Sequence, residues 1–270
     1  MNAPVKGVAF DLDGTLVDLE ALHHEAWLAA ARQAGVHLTR DQALQRLPHF
    51  VGGPDPQVAV EIAALAPPAG PAVPPGQTLA AKQRCFDDLA ASVEEIAPRA
   101  GVGAILDRLR ALNVPIAVGT ATERGVALAV LRRAGLLALF GEARVVAARD
   151  VPRLKPAPDV YLATAKLLGV PPQRQLVFED SVTGALAARH AGSRVVAVPT
   201  VHDADYLRRF EAAGAVAVVQ DWRAPGLLPL LDRLTAATDE PPAGHVAGPQ
   251  GRDDHPHGAE ETPGAAYVRA

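Results

Sequence analysis

The sequence predicts an α/β protein, a parallel sheet flanked by helices, with a helical module inserted near its start. Three observations carry that prediction. From residue 101 onward, short β-rich apolar runs alternate with helical stretches. The first apolar run, residues 5–10, stops at a turn dense in acids. Between these regions, over residues 18–98, the alternation gives way to helical segments separated by proline-rich breaks.

Residues 5–10 (VKGVAF) read as a buried strand whose C-terminal end delivers Asp11 to a ligand-accessible edge. The following DLDGTLVDLE carries too many acids for the strand to continue, and Gly14 permits the turn. Residues 20–34 read as a helix with Leu22, Ala26 and Ala29–Ala30 on its apolar face. Pro54 and Pro56 surround the start of a short helix over 57–66, and a PPAGPAVPPG loop separates it from a helix at about 77–95. The alternating region then predicts helix 101–112, strand 114–120, helix 123–134, strand 144–148, helix 158–168, strand 176–179, helix 182–191 and strand 194–198. AVAVV at 215–219 is expected as an edge strand and 226–235 as the last helix. The expected organisation is a discontinuous core, residues 1–17 and 99–235, around an inserted module at 18–98. Residues 236–270 are rich in Pro, Gly, acids and His without apolar periodicity and read as a disordered tail, with His245, His255 and His257 incidental to it.

Composition narrows the function. With 49% hydrophobic and 21% charged residues the balance is that of a globular domain, and the formal net charge of −4 carries no basic block. A nucleic-acid backbone is therefore not an expected partner. Cys85 is the one cysteine, so no intrachain disulfide forms, and no base or metal motif accompanies it. No run has the length of a membrane span or the form of a cleavable leader, so the expectation is a cytoplasmic protein with no membrane partner. Polarity leaves monomer and weak homodimer open.

Ligands of open α/β sheets bind outside the C-terminal strand ends. The first strand brings Asp11 and Asp13 there, and LVFED brings Glu179 and Asp180. Such a concentration of carboxylates makes physical sense around a hard divalent cation, Mg²⁺ when the substrate is a phosphate. Of the first pair, one carboxylate can attack phosphorus while the other protonates the leaving oxygen and later activates water. Thr120, immediately after the strand PIAVG, offers a hydroxyl and nearby N–H groups to a phosphoryl oxygen, with Thr122 two residues on. Lys155 in RLKPAPD supplies positive charge against the developing phosphoryl charge. The expected partner is thus a small phosphorylated metabolite.

Taken together, these segments resemble the haloacid dehalogenase-like hydrolase superfamily, in particular its phosphatases and β-phosphoglucomutase-like members. DLDGT at 11–15, VGTAT at 118–122, Lys155 and FEDSVTGALAARHAG at 178–192 match its four motifs in order. The resemblance implies a Rossmann-like parallel sheet with an inserted α-helical cap over 18–98. It also implies that Asp11 is the nucleophile and Asp13 the general acid/base. Mg²⁺ would then be held by the Asp11 carboxylate, the Asp13 carbonyl and Asp180, with Glu179 assisting directly or through water. His23 resembles a hinge-side histidine that contacts the acid/base aspartate in some mutase-like members, while Trp27 reads as cap core.

The same resemblance separates three chemistries. Asp13 favours phosphoryl transfer over dehalogenation, because a halide leaves without a proton. A hexose-phosphate mutase, the alternative reading, needs a cap cation for the distal phosphate. Residues 47–81 contain no Arg or Lys, which leaves Arg46, Lys82 or Arg84 for that role. The primary expectation is therefore a phosphatase acting on a sugar phosphate or related metabolite through an aspartyl-phosphate. Its substrate-facing cap loop would include His49, Phe50, Val51, Gly52 and Gly53, with Phe50, Gly52 and Gly53 contacting substrate. A phosphate-binding protein without turnover is the non-enzymatic alternative.

Overall fold

The computed structural model describes residues 3–50, 55–67 and 73–236, together with the backbone of 266–267. The strands are β1 (Gly7–Phe10), β2 (Ile116–Gly119), β3 (Val145–Val146), β4 (Gln175–Glu179), β5 (Arg194–Ala197), β6 (Ala217–Val218) and β7 (Ala266–Tyr267). They form one sheet in the order β3-β2-β1-β4-β5-β6-β7, every neighbouring pair parallel. Register sets Phe10 beside Val118 and Phe178, so β1, β2 and β4 end at the same level and their following loops converge.

The helices are α1 (Glu20–Gln33), α2 (Arg40–Arg46), α3 (Asp55–Ala64), α4 (Pro75–Ser92), α5 (Val102–Ala111), α6 (Arg124–Arg133), α7 (Leu137–Phe140), α8 (Asp159–Leu168), α9 (Val182–His190), α10 (Ala204–Ala212) and α11 (Leu227–Thr235). Side-chain alternation along the strands divides the core into two layers. Val8, Phe10, Val118 and Phe178 face α5, α6 and α11, whereas Ala9, Val177 and Val195 face α8, α9 and α10. On the first face Phe10 stacks on Phe178 at 5.2 Å and Phe178 meets Trp222 at 4.9 Å. The Trp222 indole N–H then donates to the Thr15 carbonyl at 2.9 Å, tying this packing to the loop after β1.

Helices α1 to α4 form the cap, with its own apolar centre around Trp27, Ala30, Leu47, Phe50, Val58 and Ile62. Chain entry and exit lie side by side: Val17 bridges Pro98, and Arg99 N–H donates to the Leu16 carbonyl at 2.8 Å. The fold is the expected Rossmann-like parallel sheet with a helical cap insertion.

Several local expectations need correction. Helix α4 starts at Pro75 rather than about 77, because a proline in the first helical turn lacks only an N–H that would be unpaired there anyway. Helix α2 was not expected; Thr39 and Gln42 close a reciprocal capping box that nucleates it. Helix α10 was also missed, although Asp203 caps its start by accepting from the N–H groups of Asp205 and Tyr206. Strand β6 is not an edge, since β7 pairs with it in parallel. That pairing satisfies backbone groups an edge strand would leave open, and it places two residues of the expected unstructured tail in a strand. The remainder of that tail, residues 237–265 and 268–270, lies outside the described residues. Among the described residues, no helix is long and apolar enough to cross a membrane.

Candidate active site

Asp11 follows the last residue of β1 and is buried at 7% exposure. Its Oδ1 accepts from the Lys155 ammonium at 2.5 Å, and the same ammonium donates to Glu179 Oε1 at 2.6 Å. Lys155 comes from the loop before α8 and Glu179 ends β4, so three separate segments meet at these two bonds. Tyr161, on α8, donates its hydroxyl to the same Glu179 oxygen at 2.6 Å. The other oxygen of Glu179 accepts from the N–H groups of Asp180 and Ser181 and from the Ser181 hydroxyl, at 3.0 to 3.1 Å. Both Glu179 oxygens are therefore engaged.

Two glycines make this closeness possible. A Cβ at Gly184 would lie 1.7 Å from Glu179 Oε1, and one at Gly14 would lie 2.1 Å from Asp180 Oδ2. Gly14 also has φ of +81°, a conformation other residues rarely adopt. Ser181 organises the end of the same loop by capping α9, its oxygen accepting from Gly184 N–H at 3.0 Å.

Burial, and then the nearby Glu179 charge, push the Asp11 carboxyl up to about 7 against the pull of Lys155. Burial and the neighbouring carboxylates Glu179, Asp11 and Asp13 likewise raise Asp180 well above the ordinary carboxylate range, against its bond from Thr15 at 3.1 Å. Lys155 is itself raised by Asp11 and Glu179, which outweigh its desolvation and keep it protonated. Carboxylate oxygens of Asp11, Glu179 and Asp180 lie within 4.8 Å of one another. Hard oxygen donors this close, two of them pressed toward their neutral form by burial and then by one another's charge, fit a hard divalent cation such as Mg²⁺.

Asp13 stands apart from that trio. Its Oδ1 accepts from the Leu19 N–H at 3.1 Å and its Oδ2 contacts His23 Nε2, both groups belonging to the start of the cap. The His23 ring stacks on Phe86 of α4 at 4.1 Å, which fixes its direction. A cavity of about 330 Å³ between core and cap is lined by Asp11, Asp13, Lys155, Asp180, Thr120 and Thr122, and on the cap side by His23, Lys82 and Phe86. At its core wall Thr120 Oγ1 accepts from Thr122 N–H at 3.1 Å. The hydroxyl hydrogen of Thr120 is thereby left to point elsewhere.

The structure thus brings Asp11, Asp13, Thr120, Thr122, Lys155, Asp180 and His23 to one cavity, with Glu179 directly behind it. Phe50 is buried at 4% in the cap core and reaches a smaller neighbouring cavity. His49 is exposed and pairs with Glu61 at 2.5 Å, away from both cavities. Val51, Gly52 and Gly53 lie outside the described residues. Trp27 packs in the cap core.

Sequence reasoning missed four contributors. Tyr161 orients Glu179, and nothing in its helical neighbourhood signals that role. Thr15 holds Asp180. Arg99 donates to the carbonyls of Gly14, Val198 and Pro199, joining the catalytic loop to the loop after β5. Asp55 pairs with the buried Lys82 at 2.7 Å and lines the cavity. The spacing of Thr15 within DLDGT was the one local signal among them.

A sheet whose strand ends gather a buried carboxylate, a lysine and a cation-fitting acidic trio beneath a helical cap defines a phosphoryl-transfer hydrolase. The family of haloacid dehalogenase-like hydrolases matches residues 5–192, and the chain belongs to it. Validoxylamine A 7'-phosphate phosphatase of Streptomyces hygroscopicus subsp. limoneus is 34% identical over 75% of this chain and 89% of its own. Fructose-1-phosphate phosphatase YqaB of Escherichia coli is also 34% identical, over 71% of this chain and 95% of its own. A solved hydrolase of the family from Deinococcus radiodurans, with bound phosphate and sodium, superposes with a TM-score of 0.64 at 29% identity, covering 87% and 99% of the two chains. The protein is a phosphoric monoester hydrolase acting on a small phosphorylated substrate.

Proposed function

We propose that the protein is a Mg²⁺-dependent phosphatase for a small sugar phosphate or related metabolite, working through an aspartyl-phosphate on Asp11. The observation that carries this reading is the division of labour between the two aspartates. Asp11 is buried and held by Lys155, whereas Asp13 is held by Leu19 and His23 where the cap begins.

In the first step the free Asp11 oxygen attacks phosphorus, the bond to the ester oxygen breaks, and Asp13 gives that oxygen its proton. In the second, Asp13 takes a proton from water as the water attacks phosphorus, which releases phosphate and restores Asp11. Lys155 balances the phosphoryl charge, and the Thr120 hydroxyl, its lone pair already engaged by Thr122, donates to a phosphoryl oxygen. Asp11, the Asp13 carbonyl and Asp180 would hold Mg²⁺, which when bound screens the phosphoryl charge from the surrounding carboxylates. Glu179, with both oxygens engaged, acts as the positioning residue for Lys155. His23 contacts Asp13 from the start of the cap, so closure of the cap over 18–98 positions the acid/base carboxylate as the substrate is captured.

The phosphatase reading is favoured over the mutase because Lys82 is buried and paired with Asp55, and Arg46 and Arg84 line neither cavity. The relatives named for phosphatase activity on sugar-like phosphates support the same direction. A monomer or weak homodimer belongs to this proposal, because the cap covers the site from within the chain, and a cytoplasmic location belongs to it as well. Phosphate release from a panel of sugar, polyol, glycerol and nucleotide monophosphates, with and without Mg²⁺, tests it, with Asp11→Asn as control. Metal-dependent release abolished by the substitution is expected. Isomerisation of β-glucose 1-phosphate with a bisphosphate activator, in place of release, would overturn it.

A further inference from the structure

Beside the cavity that holds Asp11 lies a smaller one of about 190 Å³. The two share Asp13, His23, Asp55, Asp180 and Ser181, so the smaller space continues from the acid/base residue toward the cap, on the side where a leaving group would sit. It contains a buried polar side chain without a hydrogen-bond partner among the described residues. His24 is 4% exposed and lines this space, yet neither ring nitrogen has a hydrogen-bond partner among the described residues. Its Nε2 approaches Glu20 Oε1 at 3.2 Å without the alignment of a hydrogen bond. The ring is held in place by stacking on Phe50 at 4.5 Å. A buried polar group left unpaired is unfavourable, and a bound donor or acceptor relieves it.

Asp55 offers a second group to the same space. Lys82 engages its Oδ2 at 2.7 Å, and its Oδ1 has no hydrogen-bond partner among the described residues. The ammonium of Lys82 is 1% exposed, enclosed by the rings of Trp27 and Phe86 at about 5.5 Å, and so directed at Asp55 rather than at a ligand. Lys155 is engaged by Asp11 and Glu179. Among the described residues lining the two cavities, no lysine or arginine remains to pair with a second phosphate, while Asp18, Glu20 and Asp55 line the smaller one. A second phosphate would enter this space with no counter-charge and against five carboxyl groups, since Asp13 and Asp180 line it too. Neutral hydroxyls meet no such penalty, since one can donate to Asp55 and another can both donate to and accept from an imidazole.

We infer that His24 and Asp55 form a hydroxyl-reading subsite on the cap, which selects the monophosphate of a polyhydroxylated alcohol over the corresponding bisphosphate. The inference rests on the proposed phosphatase reading and deepens it by assigning the residues that choose the leaving group. They are specificity residues, remote from phosphorus.

The test uses the full chain and three kinds of probe: glucose, fructose, xylulose and sorbitol monophosphates; the matched bisphosphates; and p-nitrophenyl phosphate, which carries no hydroxyl on its leaving group. The readout is the ratio of kcat/KM for the best monophosphate to that for p-nitrophenyl phosphate. His24→Phe preserves the stack on Phe50 while removing both nitrogens, and it should lower this ratio about tenfold. Asp55→Asn should lower it as well and narrow the preference for monophosphate over bisphosphate. If Asp55→Asn does not fold, His24→Phe still decides the question. An unchanged ratio in His24→Phe, or a wild-type preference for the bisphosphate, overturns the subsite while leaving the phosphatase reading intact. Failure of the wild-type enzyme to release phosphate from any probe, p-nitrophenyl phosphate included, overturns both.

Discussion

The sheet core and the cap face each other across one cavity, and they hold their polar groups differently. In the core, Asp11, Lys155, Glu179 and Tyr161 form a closed network in which Glu179 alone accepts five bonds, two of them from buried partners on α8 and its preceding loop. In the cap, Asp55 and His24 are held from one side and open on the other. The difference teaches where chemistry and selectivity are each encoded. Bonds that engage both Glu179 oxygens and lock Lys155 against Asp11 keep the attacking carboxylate in one place, whereas half-satisfied groups wait for a ligand to complete them.

The comparison breaks most sharply at the nucleophile. Asp11→Asn should lower kcat on the order of 10⁵-fold for every substrate alike, measured by single-turnover phosphate release, because the attacking oxygen itself is lost. A residual rate that still tracked substrate identity would mean that the core does not hold the nucleophile. Next in size, Gly184→Ala would drive a methyl group into Glu179 and displace Lys155. We expect about a 100-fold fall in kcat with little change in KM, a pattern that steady-state kinetics can separate from a binding defect.

Within the cap, Asp55→Ala leaves the Lys82 ammonium buried beside two aromatic rings with no partner. About 2 kcal/mol of stability should be lost in urea unfolding, less than for a fully buried pair because Asp55 is 42% exposed. A loss near zero would show that the ammonium finds water, and would weaken the picture of a cation turned away from the ligand.

Acidity sharpens the contrast further. The metal-free core holds Asp11 and Asp180 above their ordinary values, so each favours the folded state while protonated. That contribution is complete below the ordinary carboxylate range and is lost as pH rises through the raised values, for Asp11 through about 7. Mg²⁺ should therefore raise Tm by several degrees more at about pH 8 than at about pH 5.5, as followed by calorimetry. Equal shifts at the two values would place the cation elsewhere. The smallest effect expected is that of Trp222→Phe, which removes the bond to the Thr15 carbonyl while keeping an aromatic ring against Phe178. It should cost about 1 kcal/mol in urea unfolding and leave kcat within a few-fold.

What the sequence reveals follows the range over which each signal acts. Alternation along β1, β2 and β4 and the apolar stripes of the core helices are local, and the parallel α/β class was legible from them. The acids of DLDGT and FED sit at strand ends that the same local pattern predicts, so their convergence could be read too. Tyr161 reaches Glu179 from 18 positions away, and Trp222 reaches Thr15 from 207. No periodicity encodes such a meeting. Helix α10 is less legible for a different reason: its apolar positions Leu207 and Phe210 sit among Arg208, Arg209 and Glu211 in a helix of only nine residues. The open nitrogens of His24 are visible only once Phe50 covers the ring.

The bridge between Val17 and Pro98 has a consequence for inheritance. Because the chain leaves and re-enters the sheet at neighbouring points, everything between those points can lengthen, shorten or be replaced while the distance to be spanned stays the same. Arg99, just past the re-entry, is bonded to carbonyls of the sheet's own loops and fastens the junction from the catalytic side. A lineage can therefore retain one reaction and exchange its clientele by rewriting a single continuous stretch of gene.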